Sequence, residues 1–409
     1  MILIRNGQVH TMEDGRTYPD GYVLIGNDGK IASVGDGLPA GFRPGDADEI
    51  DAGGGWILPG WVDAHCHIGV FNDGLVEEGS DGNEITDPCT PQLRAVDAVY
   101  HADRCFEEAA TGGVTSVMTG PGSANVIGGQ FAFLKTVGRS VDDMAVLVPA
   151  AMKMAFGENP KNCYGTGSKT PQTRMATASI LRDFLSRARE YARKRQEPDE
   201  SKRPAWDMKM EALLPVLDGR LAAKIHVHRA DDILTAVRIC NEFGLRYTLD
   251  HCTEGYRVAD ILREEYDRGR EDPEAGKGTG RGRLEGVLVG PLLSDRSKPE
   301  LSRQDIRNPG ILAAAGLPVA ILTDHPVIPI QYLPISAAVA AREGMGEEHA
   351  LRAITIEAAR LCGMDGRTGS LAPGKDADIQ VLDGHPFDLR TTVKQVFIDG
   401  RRVSGPRAG

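Results

Sequence analysis

The pattern of hydrophobic and polar positions changes character twice along the chain. In the first 58 residues, short apolar runs are broken by Asn-Gly and Asp-Gly turns: Met1-Ile2-Leu3-Ile4 before Arg5-Asn6-Gly7, Gly21 to Gly26 before Asn27-Asp28-Gly29, then Ile31 to Val34. Runs of this kind predict hairpin strands. The same texture returns at the end, with Ala377 to Leu382, Val393 to Ile398, the turn Asp399-Gly400 and Arg401 to Val403. The two ends, 1–58 and 367–409, are therefore expected to form one discontinuous β-sandwich.

Between them, over 59–366, apolar runs alternate with helical stretches. The runs are Trp56 to Val62, Val114 to Met118, Ala145 to Met154, Ala222 to Val227, Leu245 to Leu249, Gly286 to Leu292 and Leu317 to Leu322. Thr177 to Lys194 and Ala230 to Phe243 carry helical patterns. Strand followed by helix, repeated, predicts parallel strands with crossover helices. A weaker run, Trp206 to Met210, supplies an eighth strand, and eight close a (β/α)8 barrel in an α/β chain. An open doubly wound sheet satisfies the count equally. Arg268 to Gly286, rich in glycine and charge, predicts a mobile surface loop. Its AGKGTG has the wrong spacing for a phosphate loop.

Composition narrows the function classes. The chain has 49 glycines in 409 residues, as many tight turns require, and 41% hydrophobic residues, enough for a large core. A net charge of −11 argues against binding nucleic acid or an anionic membrane. Seven scattered cysteines without a CxxC pair read as reduced thiols, and no signal peptide or 18-residue apolar span is present, so a cytoplasmic protein is expected. The expected partner is a small-molecule substrate, with self-association left open.

The histidines carry the chemistry. His65 and His67 end the first central strand two residues apart, so both imidazoles face one side. His226 and His228 close the Ala222 strand, His251 follows Tyr247 to Asp250, and Asp324 follows Val319 to Thr323. In a parallel barrel these strand ends open on one face, where active sites are built. Imidazoles and a carboxylate converging there suit a divalent ion. His10, His101, His349 and His385 lack this placement and read as packing or surface residues. Cys66, alternating with the two histidines, reads as a small core residue.

These residues resemble a family. LPGWVDAHCH (Leu58 to His67) is similar to the first barrel strand of the amidohydrolase superfamily, and GSLAPGKDADIQVLD (Gly369 to Asp383) to the segment where such chains re-enter their small β-sandwich. GGVTSV (Gly112 to Val117), the His226 strand, His251 and Leu322-Thr323-Asp324 follow in the family's order, and within the superfamily the chain looks most like imidazolonepropionase-like members.

The resemblance implies one or two divalent ions, zinc foremost. It makes His65, His67, His226, His251 and Asp324 metal ligands, with His226 preferred over His228. Members with two metals join them through a carboxylated lysine on the fourth strand or a glutamate on the third. The stretch Ala150 to Pro160 offers Lys153 and Glu158, and counting it as the third strand favours Glu158. His251 and Asp324 are the implied catalytic pair, with Asp324 as proton shuttle. His228, Arg229 and Arg174 are candidate substrate contacts; Asn125, Gln130, Asn159, Arg296 and Lys298 are further polar groups on expected front loops, and Arg174, Arg229 or Lys298 could bind a substrate carboxylate, with solvated charge the default for each. One departure stands out: Arg229 occupies the position, three residues after the fifth-strand histidine, where imidazolonepropionases and many deaminases carry Glu or Gln. Arginine is no base near neutral pH, so ring opening of an imidazolone and aromatic deamination are disfavoured. The expected activity is metal-dependent hydrolysis of an amide-type C–N bond in a cyclic amide or small N-acyl compound. A prolidase-like metallo-dipeptidase is the alternative, ahead of a non-catalytic member.

Overall fold

The computed structural model describes residues 1–167 and 169–403. Strands β1 (Ile2–His10), β2 (Thr17–Ile25), β3 (Ile31–Asp36), β4 (Asp48–Asp51) and β5 (Trp56–Pro59) join β14 (Ile379–Leu382), β15 (Val393–Ile398) and β16 (Arg401–Arg402) in one sheet. Its order is β16-β15-β14-β5-β1-β2-β3, with β4 also on β1. The sheet curls back on itself, so that the start of β3 meets the segment leading into β14: Ile31 N donates to Lys375 O at 2.9 Å and Ala377 N to Gly29 O at 3.0 Å. Ile4, Val23, Ile57, Ile379 and Phe397 fill the space it encloses.

The second sheet is the barrel: β6 (Trp61–Cys66), β7 (Val114–Thr119), β8 (Ile127–Lys135), β9 (Ala145–Ala155), β10 (Ala222–Val227), β11 (Arg246–His251), β12 (Arg283–Val289) and β13 (Val319–Ile321), paired in that order. All pairings are parallel except those of β8, which runs against β7 and β9. The seam between β13 and β6 is closed by Thr323, whose hydroxyl and N–H donate to Asp63, and by His67 N donating to His325 O at 2.9 Å. Trp56 to Val62 is not one strand. It splits at Gly60, where the chain passes from the terminal sheet into the barrel and a Cβ would stand 2.2 Å from the Thr115 side chain.

The eighth strand differs from the expected one. Trp206 precedes a helix, Met208–Leu217, whose first turn is capped by the Asp207 carboxylate. The missing strand is β8, a hairpin partner of β9 with no helix before it. The loop after helix Ala259–Glu271 is seated on the barrel: Gly278 N donates to Gly244 O at 2.9 Å, and a Cβ on Gly278 would meet Leu217 O at 1.7 Å. No helix among the described residues is long and apolar enough to cross a membrane.

Candidate metal centre

Five histidines and two carboxylates converge at the C-terminal ends of the parallel strands, and their environments fix much of their chemistry. On β6, Asp63 and His65 point into the barrel and His67 follows at its mouth. His67 Nδ1–H donates to Gly120 O at 2.8 Å, and His251 Nδ1–H donates to Gly290 O at 2.8 Å. A carbonyl can only accept, so each ring carries a proton on Nδ1, and in the neutral ring the lone pair is on Nε2. His67 Nε2 then faces Asp324 Oδ1 at 3.2 Å, and His251 Nε2 is buried with no hydrogen-bond partner. His65 lies 3.1 Å through Nδ1 from Asp250, and 3.5 Å through Nε2 from Asp324 Oδ1. Lone pairs and a carboxylate aimed at one point repel unless a cation lies between them.

Backbone conformation helps aim this set. His251 has φ 64° and Asp324 φ 55°, the left-handed region that non-glycine residues rarely occupy. The turn at His251 lets Asp250 and His251, neighbours in sequence, both reach the cluster. Positive φ at a bulky residue costs of order 1–3 kcal/mol and is held by the surrounding structure.

The other side of the cluster is arranged differently. His226 Nδ1 pairs with Ser123 Oγ at 2.9 Å and His228 Nδ1 with Thr253 Oγ1 at 2.7 Å. Hydroxyls both donate and accept, so these partners orient the rings without fixing the tautomer. Glu300 Oε1 lies 3.6 Å from His228 Nε2 and 4.0 Å from His226 Nε2. Burial pushes the Glu300 carboxyl up to about 7. Among the described residues, two trios bring one ligand atom each within 4.8 Å of one another: His226, His228 and His251, and His65, His251 and Asp324.

Charges inside the barrel support the set. Lys153, on β9, is fully buried, with Nζ 3.4 Å from His65 Nε2 and 4.0 Å from Asp250. Burial lowers its ammonium to about 8. Lys224 Nζ donates to Asp250 Oδ1 at 3.1 Å. Burial opposes the charge on Asp250, but Lys224, His65 and Lys153 outweigh it and keep the carboxylate ionised. Burial likewise opposes the charge on Asp324, and its carboxyl is held well below the usual range to the extent that the surrounding His251, His65 and His67 rings, or a cation in their place, carry positive charge. Asp63, without a cation beside it, is pushed by burial to about 7. The Phe131 ring lies 5.4 Å from His65, and Lys153 and Lys224 Nζ lie 5.6 and 5.8 Å from its centroid.

Several expected residues lie elsewhere. Glu158 is outside the cluster: its side chain accepts from Asn162 Nδ2 at 3.2 Å and Glu300 N at 3.3 Å. The reason is the strand count. With β8 in place, Ala145–Ala155 is the fourth barrel strand, and the buried group it presents is Lys153. Arg174 is bound to Asp232 at 2.9 Å and Arg229 to Asp231 at 2.9 Å, so neither faces the histidines. Asn125 ties the loop carbonyls of Glu84 and Asp87, and Gln130 sits in β8, donating to Pro91 O. Cys66 is buried in the wall behind its neighbours, with Sγ 3.7 Å from Met118 O. His10 stacks on Trp56 at 3.8 Å with His385 edge-on, a packing role, and His101 lies in a turn rather than on a helix. Sequence reasoning missed Asp250, Lys224, Phe131 and Glu300. For the first two a signal existed: charged residues at alternate positions of otherwise apolar strands face the barrel interior.

Comparison with known proteins agrees with this architecture. An amidohydrolase from Thermotoga maritima MSB8 is 40% identical, with a TM-score of 0.90 over 99% of this chain and 100% of that one. The chain belongs to the amidohydrolase superfamily. The model of the amidohydrolase family matches residues 289–404. Amidohydrolase tasK of Hapsidospora irregularis is 29% identical over 395 residues, 91% of this chain and 39% of its own length, so the chain spans about two fifths of that relative. An imidazolonepropionase of Idiomarina loihiensis is 26% identical over 93% of this chain and 90% of its own. Membership implies a hydrolase, and this amidohydrolase carries a histidine and aspartate cluster with the chemistry to hold a metal.

Proposed function

We propose that this amidohydrolase is metal-dependent and hydrolyses an amide-type C–N bond in a small molecule, a cyclic amide or an N-acyl compound. The observation that carries the reading is the convergence of His67 and His251 Nε2 lone pairs with the Asp324 carboxylate, an arrangement that calls for a cation. The residues fit such a group. His65, His67, His226, His251 and Asp324 would hold one or two divalent ions, and an imidazole–carboxylate set of this kind suits zinc. Lys153 replaces Glu158 as the bridging candidate. Its buried amine, with the ammonium lowered to about 8, would add to carbon dioxide and release one proton, giving an anionic carbamate beside the proposed ligands in place of a cation.

The chemistry that such an ion would supply is a lowered pKa for a water molecule and polarisation of the substrate carbonyl. Asp324 takes the proton that the attacking water loses as its oxygen bonds to the carbonyl carbon. It returns that proton to nitrogen as the C–N bond breaks. His251 donates through Nδ1 to Gly290, so its Nε2 is a ligand atom and no donor to an oxyanion. His228 can fill that part: with the Thr253 hydroxyl donating to Nδ1, its Nε2–H points to the cluster. Asp250 positions His65, and outer partners of this kind typically matter 10–100-fold for metal affinity or activity.

The test is metal analysis of the purified protein, then assay of the loaded protein on N-acyl amino acids, dipeptides and cyclic amides. Stoichiometric metal and hydrolysis of one class support the reading, and preferred cleavage of free dipeptides favours the dipeptidase instead. Bicarbonate during loading should raise metal content in the wild type and not in Lys153→Ala. Equal loading in both would remove the carbamate.

A further inference from the structure

Three cations near the barrel mouth had the chemistry to receive an anionic substrate group, and two are already neutralised. Arg174 is bound to Asp232 and Arg229 to Asp231. Lys298, on the loop after β12, lines the cleft of about 250 Å³ that also contains His67, His226, His228 and Asp324. Its Nζ donates to Asn159 Oδ1 at 2.9 Å, and Asn159 Nδ2 lies 3.4 Å from His226 Nε2. An ammonium carries three protons, so two remain for a ligand. The nearby carboxylate on the same loop, Glu300, is turned to Glu158 N and the two histidines. A cation held beside a site built for another cation is electrostatically costly, and a counter-charge brought by the substrate removes that cost.

The anionic side of the cleft is sparse. The carboxylates lining it are Asp324, committed to His65 and His67, and Asp295, exposed at the rim. Neither forms a built site for a substrate ammonium. Phe71, Leu301 and Val327 give the remaining wall an apolar part.

We propose that Lys298 determines specificity by binding a free carboxylate, and that the substrates are small N-acyl amino acids rather than neutral cyclic amides or free dipeptides. This rests on the hydrolase reading above and narrows it to one class.

The test compares N-acetylalanine, its carboxamide and alanylalanine with the metal-loaded wild type, Lys298→Met and Lys298→Arg. A charge-assisted hydrogen bond predicts that the wild type prefers the carboxylate to the carboxamide by roughly 10- to 100-fold in kcat/KM. Lys298→Met should collapse that ratio towards one, chiefly through KM, and Lys298→Arg should restore part of it. Equal rates on carboxylate and carboxamide, or a ratio unchanged in Lys298→Met, overturns the proposal while leaving the hydrolase reading intact. If none of the compounds is hydrolysed, the hydrolase reading suffers, and calorimetry decides the proposal separately. N-acetylalanine should bind the wild type at least about tenfold more tightly than Lys298→Met, and equal affinities refute it.

Discussion

The two histidine pairs of this site look alike in sequence and are held by different physics. His65 and His67 end β6 against groups of fixed polarity, a carboxylate and a backbone carbonyl. His226 and His228 end β10 against the hydroxyls of Ser123 and Thr253. The carbonyl against His67 can only accept, which leaves one tautomer of the neutral ring with Nε2 free for a ligand, and the Asp250 carboxylate 3.1 Å from His65 Nδ1 favours a proton there. Hydroxyls permit either, so the second pair can divide its labour between holding an ion and donating to substrate. One side of the cluster is committed, and the other is adaptable.

The largest effect is expected on the committed side. Replacing His65 and His67 together by Ala should strip most metal and activity while far-ultraviolet circular dichroism stays unchanged, because the barrel's strand pairings are made by backbone groups that the substitutions leave in place. Full metal occupancy in that double variant would end the metal assignment. Next in size is Asp324→Asn, which keeps shape but removes the base. Turnover should fall by about 10²–10⁴ with metal partly retained, and near-normal turnover would reduce Asp324 to capping the turn after it.

The adaptable side should show a smaller and uneven response. His226→Gln is expected to lower metal affinity more than His228→Gln, which should lower turnover instead. Ser123→Ala should weaken metal binding on the order of 10-fold, the low end for an outer partner. Equal metal loss in both histidine variants would erase the division of labour.

The smallest effect concerns Glu300 and is read from stability. Its carboxyl is raised from 4.5 to about 7 by burial, so the fold favours the protonated form. That contribution is complete below pH 4.5 and is lost as pH rises through 7, amounting to up to about 3 kcal/mol. The melting temperature of metal-free wild type should therefore decline across this window relative to Glu300→Gln, whose amide oxygen still accepts from Glu158 N. Parallel curves for the two proteins would show that Glu300 does not carry the linkage.

Much of the fold was legible because apolar periodicity reports burial directly. Helix Ala230–Phe243 matches its pattern end to end, and the two β-textured termini meet in one sheet. The failure at β8 has a physical cause: a search for strand–helix alternation does not recognise a hairpin strand inside a parallel barrel. That one omission shifted the strand count and moved the bridging candidate from Lys153 to Glu158. The candidate site was legible where the proposed ligands sit at strand ends, as His65, His67, His226 and Asp324 do. It was illegible where it depends on positive φ at His251 and Asp324, or on Arg174 finding its partner Asp232, 58 residues away. Those features are settled by tertiary packing, which a local pattern does not encode.

The crossing at Gly60 has a consequence for the order of events in folding. Strand β5 is held on one edge by β14, with Gln380 Nε2 donating to Pro59 O across 321 positions of sequence, and Gly60 N donating to Asp378 O. The strand carrying His65 and His67 leaves directly from that anchor. Pairings between such distant segments form slowly because the loop entropy is lost before the contacts repay it. The proposed ligand pair nearest the start of the chain is thus expected to settle only when residues from the far end arrive, which would make the candidate centre a late product of folding.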